Sequence, residues 1–207
     1  MFQNRTDAGR QLGALLADGN VEADIVLGIP RGGLPVARAV ADALDAPLDV
    51  VVASKIGAPS NPELAVGAVA SDGTVWYNDD LLDRVGASEA YLDRERERET
   101  AVARGKLERY RGSDRPPDVE GKRVVVVDDG LATGATTIAA LRQVRAAGAA
   151  RVVLAVPVGS PDSVERLRAE ADEVVAVETP PHFSAVGQFY RDFGQVSDEQ
   201  AMSYLDR

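Results

Sequence analysis

The segment from Val124 to Thr136 constrains the fold of this chain more than any other feature, and it reads VVVVDDGLATGAT. A run of β-branched residues predicts a buried strand of a parallel sheet. Asp128 and Asp129 stand where the strand should end, and a loop rich in Gly and Thr leads into a helix predicted over 137–147. Open α/β sheets bind ligands outside the carboxyl ends of their strands. We therefore expect the carboxylates and the loop to face one crevice.

The chemistry of this segment suits a phosphorylated sugar. Backbone N–H groups of such a loop, and of the helix start behind it, can converge on one phosphate. The carboxylates can accept hydrogen bonds from sugar hydroxyls or help to hold a divalent cation. The alternative interpretation is an ordinary strand–loop–helix unit with a polar turn. The candidate binding residues are Asp128, Asp129, Gly130, Leu131, Ala132, Thr133, Gly134, Ala135 and Thr136.

A second strand–loop–helix unit lies near the N-terminus, with a buried strand predicted over 24–29 and a helix over 34–44. The loop between them holds Pro30, Arg31, Gly32 and Gly33. Glycines let backbone approach a ligand closely, and an arginine can bind phosphate in bidentate fashion. Taken alone, the loop is explained equally well as a plain turn.

The remaining segments alternate between the hydrophobic patterns of helices and those of strands. This alternation predicts an α/β fold: a parallel twisted sheet with helices on both faces. We expect one domain over 1–207, since 207 residues need no second core. The alternating charges at 93–99 indicate a solvated helix face. Further helices are predicted over 7–16, 79–85, 88–110 and 160–171, and further strands over 48–53, 64–69, 73–77, 151–156 and 173–177.

Composition excludes several function classes. The net charge of −10 argues against nucleic acid as the main partner, because phosphate-backbone binding needs clustered positive charge. The absence of cysteine excludes disulfides and thiolate nucleophiles, and a single histidine, His182, argues against a histidine metal cluster. No apolar stretch is long enough for a membrane span, and the N-terminus has no signal-peptide core. We expect a cytoplasmic protein without a membrane or nucleic-acid partner.

The segment from Val124 to Thr136 resembles the phosphoribosyl pyrophosphate (PRPP) signature of type I phosphoribosyltransferases, which has four apolar residues, two acidic residues, and then Thr-Gly with a further Thr. The resemblance implies that family's fold, with a small hood formed by the terminal segments (about 179–207 at the C-terminus) and a charged helical insertion at about 86–112. It implies Mg²⁺-dependent transfer of ribose 5-phosphate from PRPP to a nitrogen acceptor. Asp128 and Asp129 would be catalytic, binding the ribose and, mainly through PRPP, the Mg²⁺.

The same resemblance assigns the other sites. Arg31, Gly32 and Gly33 would bind pyrophosphate, and a cis peptide that is not before proline is expected near Pro30–Arg31. Lys55 would be a catalytic lysine reaching PRPP, within a mobile loop over 54–63 that closes over the site; the alternative is a solvated lysine on a surface loop.

The aromatic C-terminal region resembles, more faintly, the end of purine phosphoribosyltransferases. Phe183 would stack on the base, with Tyr190 also at the base and Arg191 nearby. The alternative is that these aromatic residues serve packing alone.

One position bears on the acceptor. In 6-oxopurine enzymes of this family the residue before Thr-Gly is acidic, whereas here it is Ala132, as in adenine-type signatures. Hypoxanthine and guanine are therefore disfavoured. Over nearly its whole length the chain resembles predicted phosphoribosyltransferases of unassigned substrate, which share Gly-x-Pro-Arg-Gly-Gly, Lys-x-Gly-Ala-Pro-x-Asn-Pro-Glu, Asp-Asp-Gly-x-Ala-Thr-Gly-Ala and the aromatic tail. The acceptor therefore stays open. A homodimer is allowed. The alternative function is a non-catalytic sensor of PRPP or nucleotides; an oxidoreductase is disfavoured because no Gly-x-Gly-x-x-Gly follows the first strand.

Overall fold

The computed structural model describes residues 1–205. The helices are α1 Arg5–Asp18, α2 Gly33–Ala43, α3 Asp79–Val85, α4 Glu89–Arg111, α5 Ala135–Ala146, α6 Pro161–Leu167 and α7 Asp198–Ser203, with a 3-10 turn at Val186–Phe189. The strands are β1 Ile25–Gly28, β2 Leu48–Val50, β3 Ala53–Ala58, β4 Asn61–Ala70, β5 Val75–Tyr77, β6 Arg123–Val127, β7 Arg151–Val158 and β8 Glu173–Glu178.

The main sheet is parallel, with the strand order β2-β1-β6-β7-β8. From β1 the chain moves to one edge of the sheet, and from β6 it moves to the other. The boundary between β1 and β6 is therefore the topological switch point, where the loops after the two strands diverge and leave a crevice. The predicted α/β architecture is confirmed.

Both faces of the sheet are covered by helices, which explains the unbroken run of valines in β6. Val125 and Val127 pack on the side of α1 and α2, among residues such as Leu12. Val124 and Val126 pack on the opposite side, with the apolar face of α5. A strand buried on both faces has no polar positions to alternate with.

The largest departure from the sequence-based prediction lies at residues 54–63. Where a mobile loop was expected, β3 pairs antiparallel with β4, and β5 completes a second, three-stranded sheet. Every second residue of β3 is buried, which is the pattern of a half-buried strand. Gly57, Pro59 and Pro62 obscured that pattern, because glycine and proline ordinarily end strands and here they accompany register shifts in the hairpin. The prediction of a loop was wrong there, and the predicted strand over 48–53 is divided between β2 and β3.

The two terminal segments are joined beside the carboxyl edge of the main sheet. Phe2 forms a parallel bridge with Tyr190, and its N–H group donates to the carbonyl of Phe189 at 2.8 Å. Phe2, Tyr190 and their aromatic neighbours form a small apolar cluster of their own. Within residues 1–205, no helix combines the length and apolarity needed to cross a membrane.

Candidate functional site

The loops that follow β1 and β6 touch at the switch point, and they do so because two positions are glycine. A Cβ atom at Gly32 would lie 2.0 Å from Oδ2 of Asp129, and one at Gly33 would lie 2.8 Å from the carbonyl oxygen of Val127. Any larger residue would force the two loops apart. The peptide bond between Pro30 and Arg31 is cis, as predicted.

Asp129 is held by groups from both ends of the chain. Nε of Arg5 donates to its Oδ2 atom at 2.7 Å, and the two side chains are only 12% and 16% exposed. The hydroxyl of Tyr190 donates to the carbonyl oxygen of Asp129 at 2.6 Å. The sequence analysis did not identify Arg5, since no motif surrounds it.

Asp128 has no such cationic partner among residues 1–205. Its Oδ1 atom accepts the N–H group of Asp129 at 2.8 Å. Burial raises the pKa of Asp128 well above its usual value, and repulsion from Asp129 adds to this, while hydrogen bonds from Asp129 and Thr137 oppose it. Burial also raises the pKa of Asp129, but Arg5 counteracts the effect. Across residues 1–205 there is no group of three or more His, Cys, Asp or Glu able to hold a metal ion, so a cation here would also need oxygen ligands from a substrate.

The loop after β6 presents backbone donors to the crevice. The carbonyl of Ala132 accepts the hydroxyl of Ser163 at 2.5 Å, and that of Thr133 accepts Nη1 of Arg166 at 3.2 Å. In the described chain, none of the N–H groups of residues 132–137 donates to a protein acceptor. Gly134, at φ +74°, provides the left-handed turn into α5. Free N–H groups at the start of a helix can bind an anion, and α5 has twelve residues.

Arg31 is half exposed beside this crevice. Its Nη1 atom lies 3.8 Å from Oδ1 of Asp198, at the start of α7. Asp198 also accepts hydrogen bonds from the hydroxyl of Tyr110 at 2.6 Å and from Nη1 of Arg109 at 2.5 Å. The arginine is thus close to a carboxylate that already has two stronger partners, which leaves its guanidinium available to an anionic ligand.

Lys55 lies in strand β3 rather than in a loop. Its Nζ atom lies 2.7 Å from Oε2 of Glu63 across the hairpin, and this hydrogen bond lowers the pKa of Glu63. A cavity of about 700 Å³ is lined by Lys55 together with Pro30 of the loop after β1 and Thr136 in the first turn of α5. The structure therefore brings Lys55 to the same cavity as the loop after β1 and the start of α5.

The aromatic residues of the C-terminal segment occupy different positions. Phe183 is half-buried, with its ring centroid 5.3 Å from that of Phe189. Tyr190 is buried, and its ring packs between Phe2 at 5.3 Å and Phe193 at 4.9 Å. The hydroxyl of Tyr190 is already bonded to Asp129 and its ring is enclosed, so Phe183 is the more accessible of the two predicted base-binding residues.

A family model and several known proteins match this chain. A family model described as phosphoribosyl transferase domain matches residues 6–193. The crystal structure of TT1426 from Thermus thermophilus superposes with a TM-score of 0.83 at 48% identity, covering 99% of this chain and 97% of that one.

Two relatives from Mycobacterium tuberculosis, of strains CDC 1551 and H37Rv, carry the provisional name phosphoribosyl transferase. Each is 49% identical over 208 residues, covering 100% of this chain. The match spans 47% of each relative, so the chain corresponds to about half the length of these proteins.

Proposed function

The chain belongs to the phosphoribosyl transferase family, and from this premise we propose that it transfers ribose 5-phosphate from PRPP to a nitrogen acceptor. In that reaction the bond between C1 of the ribose and the pyrophosphate oxygen breaks. A bond from the acceptor nitrogen to C1 forms, and the acceptor loses a proton. The observation that carries the proposal is the free N–H array of residues 132–137 beside two carboxylates at the switch point.

The loop after β6 supplies the binding groups for the sugar phosphate. Residues 130–137 receive the 5-phosphate on backbone N–H groups, and the helix dipole of α5 favours the negative charge there. Asp128 and Asp129 hold the ribose hydroxyls. Their charges also stabilise the positive charge that develops at C1 as pyrophosphate leaves, so this chemistry requires no protein nucleophile.

The loop after β1 receives the pyrophosphate. Arg31 donates to it, while Gly32 and Gly33 allow backbone N–H groups to approach it. Lys55 adds a further cation from the hairpin.

Mg²⁺ fits this arrangement, since carboxylate and phosphate oxygens are its preferred ligands and no cation of the described chain bonds to Asp128. Asp128 and Asp129 would hold the ion mainly through PRPP. Bound there, it would neutralise charge on the leaving pyrophosphate.

The acceptor is held by the C-terminal segment. Phe183 offers an aromatic face for a base, and the buried Tyr190 keeps the segment against Asp129. Val186 lies over the loop after β6, since a Cβ atom at Gly130 would be 2.6 Å from the Cγ1 atom of Val186. The acceptor would therefore lie beside the ribose, between this segment and the loop after β6.

The proposal is tested by measuring pyrophosphate release from PRPP and Mg²⁺ with a panel of purine, pyrimidine and amine acceptors. We expect release that depends on one class of acceptor and stops when the metal is chelated. The Asp128→Asn, Asp129→Asn double variant serves as the inactive control, with its fold checked by circular dichroism.

The outcomes separate the two candidate functions. If PRPP binds but no acceptor is consumed, the protein is a non-catalytic sensor of PRPP. If PRPP does not bind, the transferase and a PRPP sensor are both excluded, and only a sensor of nucleotides is left.

A further inference from the structure

Arg5 makes three directed contacts although it lies far from either loop in sequence. Nε donates to Oδ2 of Asp129 at 2.7 Å, and Nη1 donates to the carbonyl oxygen of Gly194 at 2.8 Å. The guanidinium carbon lies 3.8 Å from the centroid of the Phe193 ring. The side chain thus joins the second carboxylate of the acidic pair to the segment that follows the C-terminal aromatic residues.

These contacts require an arginine rather than any cation. A planar guanidinium can donate in two directions while its face stacks on an aromatic ring, whereas a lysine ammonium is a point charge on a flexible stem. Stability alone explains the arrangement poorly, because the desolvation cost of a largely buried ion pair offsets much of its attraction.

The pairing occupies one oxygen of Asp129 and leaves the other free. Oδ2 accepts from Arg5, while Oδ1 accepts no hydrogen bond from another residue of the described chain. Arg5 also lies against the pyrophosphate loop, since a Cβ atom at Gly32 would be 3.2 Å from its Nε atom. Fixing Oδ2 fixes the rotamer of the side chain, and so keeps Oδ1 available for a ribose hydroxyl.

We propose that Arg5 is a positioning residue of the transfer reaction: it orients Asp129 toward the ribose and links that carboxylate to the C-terminal segment that binds the acceptor. The inference rests on the proposed function. It adds a residue from the first turn of α1 to a site otherwise built from two loops. Tyr190 supports the same link, because its hydroxyl bonds to the carbonyl of Asp129 and its ring packs on Phe193.

The test compares Arg5→Ala and Arg5→Lys with Arg10→Ala. Arg10 is an exposed arginine on the same helix. Calorimetry measures the affinity of each variant for PRPP, ribose 5-phosphate and pyrophosphate in the presence of Mg²⁺. We expect Arg5→Ala to lower the affinity for PRPP and for ribose 5-phosphate by about tenfold or more, the scale of one charge-assisted hydrogen bond. Its affinity for pyrophosphate should fall by less than about threefold. The affinities of Arg5→Lys should lie between those of Arg5→Ala and those of the native protein.

A double-mutant cycle with Asp129→Asn tests the mechanism of the loss. If Arg5 acts through the carboxylate, Arg5→Ala should have little further effect on ribose 5-phosphate affinity in the Asp129→Asn background. Native affinity in Arg5→Ala would overturn the inference. Equal losses for all three ligands would also overturn it, because they would indicate a general structural role.

Two further readouts keep the result interpretable. Thermal unfolding establishes that each variant is folded; if Arg5→Ala is not, the comparison of Arg5→Lys with Arg10→Ala decides by the same criteria. If the native protein binds neither PRPP nor ribose 5-phosphate, the proposed function itself fails and the inference fails with it.

Discussion

At the scale of single residues, the two neighbouring aspartates of the site differ in their surroundings. Asp129 is paired with Arg5, whereas Asp128 is partly buried, pairs with no cation of the described chain, and has a pKa raised well above its usual value. A charge that is removed from water without a partner lowers the stability of the folded state. Asp128 therefore reduces stability in the free protein, and we expect the ligand and its metal ion to compensate when they bind.

This asymmetry predicts opposite effects of Asp128→Asn on stability and binding. A raised pKa means that the folded protein holds a proton more tightly than the unfolded chain, so Asp128 lowers stability as the pH rises from about 4 through its folded pKa. Asp128→Asn should raise the Tm at pH 8, with the difference shrinking toward pH 4; each kcal/mol corresponds to about 2–4 °C. The same substitution should also weaken the binding of PRPP.

The matched control for that experiment is Asp114→Asn, which removes an exposed aspartate from a loop. At both pH values its Tm should stay close to that of the native protein, and so should its affinity for PRPP. A Tm for Asp128→Asn below that of the native protein at pH 8 would contradict the assignment of Asp128 as an unpaired, desolvated charge.

Gly32 gives a steric prediction. Its backbone, at φ −62° and ψ −31°, is open to any residue, so the cost of Gly32→Ala comes only from a Cβ atom 2.0 Å from Oδ2 of Asp129. We expect this variant to lose more than about tenfold in PRPP affinity, since one charge-assisted hydrogen bond is worth that much. In Gly105→Ala the new Cβ atom meets nothing within 4 Å, so α4 should gain about 0.5–1 kcal/mol with unchanged binding. Equal PRPP affinity in the two variants would argue against the close contact.

At the scale of secondary structure elements, the sequence predicted what local patterns determine. Helix α3 was predicted with its observed bounds, and strand β6 with its acidic pair was found from β-branched residues alone. Strand β3 was missed because Gly57 within it and the prolines that follow it are also typical loop residues, and only pairing with β4 across the hairpin distinguishes a strand from a loop here. Helix α6 ends at Leu167, four residues before its predicted end at Ala171.

The loop after β1 gives the prediction at this scale. Arg31→Ala should lower the affinity for pyrophosphate and for PRPP by roughly 10- to 150-fold, the equivalent of about 1.5–3 kcal/mol. The affinity for a nucleoside monophosphate should fall much less, because that ligand places no group in this loop. Affinities measured by calorimetry, with Arg10→Ala as the control, decide the matter; equal losses for all three ligands would mean that Arg31 acts only through its general charge.

At the scale of the whole molecule, the site combines segments that no local pattern connects. The two loops were predictable since each follows a strand and carries its own motif. Arg5 was not, because it contributes through a contact with a residue 124 positions away and sits in an ordinary helix start. The Asp198 carboxylate near Arg31 was missed for the same reason.

Acceptor choice is also a property of the whole molecule, since the loop after β6 and the C-terminal segment must act together. Ala132 cannot exchange a proton with a base, and general acid–base help is worth about 10²–10⁴ in rate. We therefore expect negligible turnover of hypoxanthine and guanine compared with the preferred acceptor, measured as monophosphate formation by the purified protein. Rapid conversion of hypoxanthine would show that another residue, such as Glu63 or Asp192, supplies the proton.

The bond between Arg5 and Asp129 has a consequence for synthesis on the ribosome. When Arg5 is added to the chain, its partner is still 124 residues from being added, and the segment that buries Phe2 follows later still. The segment that holds Phe2 and Arg5 must therefore wait without these partners. Contacts between distant parts of a chain form late in folding, so we expect binding competence to appear only after the C-terminal segment has emerged and returned to the N-terminus.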